Sequence, residues 1–114
     1  SDMRRVTFMG RYNERASWSP TGDRIAYTSM DNGLMNIYTC ALDGSDITQL
    51  TSNAGNNEHP TWSPDGKLIA FSSNRNGSYQ IYIMRADGSN VTRITKGGEN
   101  TAPTWSWFYD EINP

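Results

Sequence analysis

His59 is the only histidine in the chain, and it stands beside Glu58. A histidine next to a carboxylate can move protons, and with a serine it can drive acyl transfer. Here the pattern does not assemble. Neighbouring strand residues point to opposite faces, so 58 and 59 would not converge. No Gly-x-Ser-x-Gly elbow occurs. Cys40 is the single cysteine, which excludes both an intrachain disulfide and a zinc site of the His/Cys type. What recurs instead is an amide: Asn13, Asn57 and Asn100 each lie five residues before a tryptophan. With Glu14 and Glu58 beside them, their oxygens would suit a hard cation such as calcium. Alternatively, each Asn caps its own loop by bonding the backbone. No Asp-x-Asp-x-Asp-Gly spacing is present, so the sequence assigns no metal.

The elements that must position these residues come as a repeat. Trp18 and Trp62 stand 44 apart, Trp105 follows in the same register, and a serine follows each of them. Val6, Leu50 and Ile94 are each followed by threonine. Asn36-Ile37-Tyr38 matches Gln80-Ile81-Tyr82, and Asp43-Gly44 matches Asp87-Gly88. A period of about 40–45 residues with several strand-sized pieces is the mark of propeller blades. One repeat predicts strands near 60–63, 68–73, 80–85 and 91–95. Pro64, Asp65 and Gly66 make the first turn, Pro64 presetting φ and Gly66 free to take a positive one. Asp43-Gly44 and Asp87-Gly88 make the later hairpin turns. Leu-Ile-Ala-Phe and Ile-Tyr-Ile-Met are apolar on both faces, as a sheet packed between neighbouring sheets requires. The three tryptophans read as blade-to-blade packing.

Composition agrees. The chain of 114 residues is 35% hydrophobic and 11% aromatic, with ten glycines and five prolines, a profile of short strands and tight turns. The fold class is therefore all-β: blades of four antiparallel strands, two full blades per chain. The net charge of −2 offers no basic field, which argues against nucleic acid as a partner. No apolar run approaches the ~20 residues of a membrane span. No signal peptide is evident, and residues 1–3 read as a vector remnant. Residues 4–7 read as the last strand of a preceding blade, 8–51 as blade one and 52–95 as blade two. Residues 96–107 read as the first strand of a further blade, and 108–114 as a tail.

Trp62-Ser63-Pro64-Asp65-Gly66-x-x-Ile69-Ala70-Phe71, then Ile81-Tyr82-x-Met84-x-x-Asp87-Gly88, then Ile94-Thr95, resembles the WD-like propeller repeat of the TolB family, and residues 3–107 fit it. That resemblance implies a six-bladed propeller in a bacterial periplasm. It also implies a protein-binding hub of the Tol–Pal envelope system without enzymatic activity, and no cofactor. The absence of a signal peptide from the chain leaves the cytoplasm open as well. The sequence departs from the pattern at Thr21, where the repeat has Asp, and at Trp107-Phe108, where it has Pro-Asp. An N-terminal α/β domain and four further blades have no counterpart here.

Two blades cannot close a ring, since propellers use about four to eight. Each is expected to leave an apolar face in water. The chain therefore reads either as a fragment or as a protomer, with three copies completing six blades by a head-to-tail contact. In a propeller, the loop before strand one and the loop between strands two and three share the face at the channel mouth. That face would carry Tyr12, Asn13, Glu14, Arg15, Asn57, Glu58, His59, Arg75, Asn76 and Asn100, with Asp31 and Asn32 beside them. The leading expectation is a non-enzymatic module binding a protein or peptide there, because amides read backbone and Arg and Tyr are frequent anchors. The alternatives are a piece of the propeller of a larger peptidase or lyase, and a purely structural self-assembling repeat.

Overall fold

Hydrophobic runs separated by Gly-containing turns build two copies of one unit. The computed structural model describes residues 13–95. These residues form two four-stranded antiparallel sheets, each a simple meander. The first holds β1 (Asn13–Trp18), β2 (Arg24–Asp31), β3 (Leu34–Ala41) and β4 (Thr48–Gln49). The second holds β5 (Asn57–Trp62), β6 (Leu68–Ser73), β7 (Gln80–Arg85) and β8 (Thr92–Arg93). Register repeats from one sheet to the next. Tyr27 lies opposite Tyr38 as Phe71 lies opposite Tyr82, and the rings stack at 5.7 and 5.8 Å.

Two devices in the repeat have clear physical jobs. At the first turn, Ser63 Oγ donates to Asp65 Oδ1 at 2.6 Å and accepts the Leu68 N–H at 3.0 Å. Asp65 Oδ1 also accepts the Lys67 N–H, while Gly66 takes φ +75° and donates its N–H to Ser63 O. In the first sheet, where Thr21 stands at the Asp65 position, the carboxylate has moved two residues on. Asp23 Oδ1 accepts from Ser19 Oγ at 2.9 Å and Thr21 Oγ1 at 2.6 Å. At the outer edge, β4 and β8 each pair over only two residues, shorter than the 91–95 strand predicted. The threonine hydroxyl takes over beyond them. Thr51 Oγ1 accepts the Ile37 N–H and donates to Asn36 Oδ1; Thr95 Oγ1 accepts the Ile81 N–H and donates to Gln80 Oε1. The recurring hydrophobic-Thr pair is thus an end-stop that satisfies the ladder with a side chain.

The inner strands also start earlier than the sequence suggested, because a bulge hides the alternation. β5 begins at Asn57 rather than Pro60, and its register with β6 shifts between Glu58 and Thr61. His59 sits in the bulge at φ +58°. The same shift falls between Glu14 and Ser17. An extra residue in one strand is the usual cause of such a break.

The main core lies between the sheets. Ala26 and Ile37 of the first meet Trp62, Ile69, Phe71, Tyr82 and Met84 of the second. Trp62 is 9% exposed, and its Nε1–H crosses the interface to Ser17 O at 3.0 Å. Trp18, its counterpart 44 residues earlier, is 36% exposed. The outward sheet faces depart from expectation. Ile25, Tyr27 and Cys40 on one side, and Ala70 and Ile81 on the other, are at most 3% exposed, so these apolar positions are not left in water. Residues 4–7, Trp105 and the 96–114 stretch lie outside the described residues.

Two outcomes follow from this packing. Trp62→Ala should lower the unfolding free energy by about 3–5 kcal/mol, the range for deleting a buried large aromatic. Trp18→Ala should cost clearly less, and urea unfolding followed by fluorescence compares the two. The turn serines should hold their carboxylates acidic, since hydrogen bonds from Ser63 and Ser89 keep Asp65 and Asp87 below the ordinary 3.8. A depressed folded pKa gives stabilisation that is present above the unfolded value and is lost as pH falls through the folded one. Carboxyl NMR titration of Ser63→Ala and Ser89→Ala should therefore show Asp65 and Asp87 moving back up.

Candidate binding site between the blades

The cleft between the two sheets, at the end carrying the β2–β3 and β6–β7 hairpins, gathers the polar residues of interest. Asn57 opens β5, faces the first sheet and is 0% exposed. Its Nδ2 lies 3.3 and 3.4 Å from the carbonyls of Gly55 and Ala54, and 3.3 Å from Asn36 Oδ1 in the other blade. Its Oδ1 accepts from Arg75 Nη2 at 2.9 Å. The amide thus caps its own loop and ties both blades to the guanidinium. That oxygen faces a cation of the protein itself, which a metal ion at Asn57 would have to displace.

Arg75 follows β6, and three features hold it. Nε donates to Ser73 Oγ at 3.0 Å. The guanidinium lies over the Tyr82 ring at 4.8 Å and the Phe71 ring at 5.5 Å. Cation–ring contacts of this kind strengthen with desolvation. Burial lowers the guanidinium from its ordinary pKa, with the Tyr82 phenol acting in the opposite direction. Asn76 Nδ2 donates to Tyr82 OH at 2.8 Å, fixing the far end of that ring.

Glu58 and His59 lie on the other face of the second sheet, and both lie within the strand rather than in a loop before it. Ser72 Oγ lies 3.2 Å from the Glu58 backbone carbonyl and 3.5 Å from His59 Nδ1, so the serine meets the Glu58 backbone and the His59 ring. The Glu58 carboxylate accepts from Tyr79 OH at 2.8 Å. The Ser72 hydroxyl has the Glu58 carbonyl as a nearer acceptor than the imidazole, and among the described residues no carboxylate orients His59. Asn13, Glu14 and Arg15 belong to β1 at the positions equivalent to Asn57, Glu58 and His59. Asn32 occupies the β2–β3 turn at φ +54°. Tyr12 and Asn100 lie outside the described residues. Among the described residues there is no group of three or more His, Cys, Asp or Glu that could hold a metal ion. Cys40 is buried, and burial pushes its thiol up.

Residues that sequence reasoning missed complete the cleft. Asn56 Oδ1 accepts the Met35 N–H at 2.8 Å, and its own N–H donates to Asn74 Oδ1 at 2.8 Å. Gly55, at φ +70°, is packed so closely that a Cβ there would lie 2.5 Å from Asn74 Oδ1 and 3.2 Å from Arg75 Cα. Asn56 carries no period-44 signal, since Tyr12 is its equivalent, and Phe71 and Tyr82 read only as core. Asn57→Ala should lower stability by about 1–3 kcal/mol, because it strands buried partners, among them the Arg75 guanidinium. Gly55→Ala should also destabilise, through both its positive φ and the Arg75 backbone. Chemical denaturation of the two variants checks both.

Comparison with known proteins places this geometry. A family model describing the TolB beta propeller domain matches residues 13–112. A TolB structure from Agrobacterium tumefaciens is 37% identical with a TM-score of 0.74, over 78% of this chain and 32% of that one. TolB from Acinetobacter baumannii is 33% identical with a TM-score of 0.66, over 77% of this chain and 22% of that one. The tricorn protease is 25% identical with a TM-score of 0.62, over 86% of this chain and 9% of that one. The chain thus spans a third or less of the TolB structures it matches. No curated protein matches it. Among the described residues no helix is long and apolar enough to cross a membrane. With two meander blades, a tryptophan joint between them and a family match across most of its length, the chain belongs to the TolB β-propeller family.

Proposed function

We propose that the chain is a non-enzymatic propeller segment that binds a protein or peptide on the face at the channel mouth. The observation that carries this is the Asn57–Arg75 lock: a guanidinium fixed at 2.9 Å by an amide and stacked on two rings, at the junction of two blades. Arginine preorganised in this way loses little freedom on binding, which is what a recognition anchor needs. No cofactor enters the proposal. At the Ser72–His59 pair the Glu58 carbonyl lies nearer the serine hydroxyl than the imidazole does, which favours a structural role for it. The resemblance to TolB supports a periplasmic location.

The ring is completed by further blades, and three copies of this chain would match the six blades implied by that resemblance. Trp18 supports further blades beside this one. Trp62 has a carbonyl of the preceding blade for its N–H, whereas Trp18 is 36% exposed with no acceptor for its N–H among the described residues. The second reading, a segment of a larger enzyme's propeller, draws on the tricorn protease match, in which the catalytic parts would lie outside this chain. Light scattering coupled to size exclusion separates the two. A sharp species at three times the chain mass, lost in Trp18→Ala, is the expected result. A monomer that stays monomeric at high concentration would favour the segment reading.

A further inference from the structure

The Arg75 guanidinium is a positive charge without a counter-charge among the described residues. Its acceptors are neutral: Ser73 Oγ for Nε and Asn57 Oδ1 for Nη2. Its Cζ lies over the neighbouring Tyr82 and Phe71 rings. The adjacent carboxylate, Glu58, is on the opposite sheet face, paired in register with Ser72 and bonded to Tyr79 OH. Asp46 is paired with Arg24 at 2.7 Å, beyond the far ends of the strands. The Nη1 amino group has no acceptor among the described residues, yet it is not sealed in the interior. A half-buried guanidinium in this state has lost hydration without gaining an ion pair, which an incoming anion would restore. A general basic field is not the cause, because the chain carries a net charge of −2.

A second donor belongs to the same cleft. The Asn56 carbonyl oxygen is taken by the Met35 N–H, leaving its Nδ2 to donate. Close packing of Gly55 on the Arg75 backbone brings the two residues to one edge of the cleft. Resting on the peptide-binding reading above, we propose that Arg75 anchors a carboxylate of the bound segment, with Nη1 and the remaining Nη2 hydrogen as a two-pronged donor and Asn56 Nδ2 as support. The ligand class is an acidic peptide, held by an Asp or Glu side chain or by its C-terminus. The equivalent position in the first sheet is Asp31, so the repeat places this cation once per chain.

The test uses the full chain and three labelled pentapeptides in fluorescence anisotropy and nitrogen-15 NMR. The first is acetyl-Ala-Ala-Glu-Ala-Ala-amide, the second its Gln twin, and the third acetyl-penta-alanine with a free C-terminus. The expected result is that the Glu peptide, the free C-terminus or both bind at least about tenfold tighter than the Gln twin, and that the Arg75 Nε–H resonance shifts. Whichever of the two binds identifies the carboxylate source. Arg75→Lys, which keeps the charge but loses the fork and the stacking, should remove most of that preference, with near-UV circular dichroism confirming the fold. If that variant misfolds, the wild-type comparison of Glu and Gln peptides decides alone. Equal binding of the twins, or a preference that survives in a folded Arg75→Lys, overturns the carboxylate anchor and leaves the peptide-binding reading standing. No shift at the cleft with any peptide at millimolar concentration overturns both.

Discussion

Everything described here depends on one sheet lying flat against the next. A blade of this size is apolar on both faces, so it holds its shape only when each face is covered. Between the two blades that cover is given by Ile69, Phe71, Tyr82 and Met84 against Ala26 and Ile37. Trp62 sets its alignment, because the indole N–H must reach the Ser17 carbonyl. Dispersion and burial supply the energy, and this directed bond, with the one from Met35 N–H to Asn56 Oδ1, supplies the register.

The polar cleft is a consequence of that register. Asn57 is enclosed only because the first blade covers it, and only then can its Nδ2 meet Asn36 while its Oδ1 holds Arg75. The rings that carry Arg75 are the same Phe71 and Tyr82 that face the first blade. The proposed recognition group is thus built on core residues at the point where the core reaches the surface. Loosening the blade contact would therefore loosen the setting of Arg75 as well.

Repetition also shows how the fold tolerates change. Where Thr21 replaces the turn aspartate, Asp23 reaches the same serine from two residues on, and the turn keeps its carboxylate. Where β4 and β8 end after two residues, Thr51 and Thr95 finish the ladder with hydroxyls. In the turn the backbone demand is constant and the side chain that meets it has moved; at the outer edge the same threonine meets it in both sheets.

The sequence by itself determined the blades. Its period of 44, the turn residues at fixed offsets and the doubly apolar strands are local patterns, and local sterics and hydrogen bonding decide them. It also put Asn57 and Arg75 on one face, with loop capping left open for the amide. Only the tertiary structure decided that the Asn57 amide is buried and shared between blades, that His59 stands in a bulge beside Ser72, and that Arg75 rests on two core rings. The physical reason is common to all three. A bulge shifts the two-residue alternation by one, and contacts such as Asn57 with Asn36 join residues 21 apart in the chain across a packed interface. Neither leaves a trace in spacing or composition.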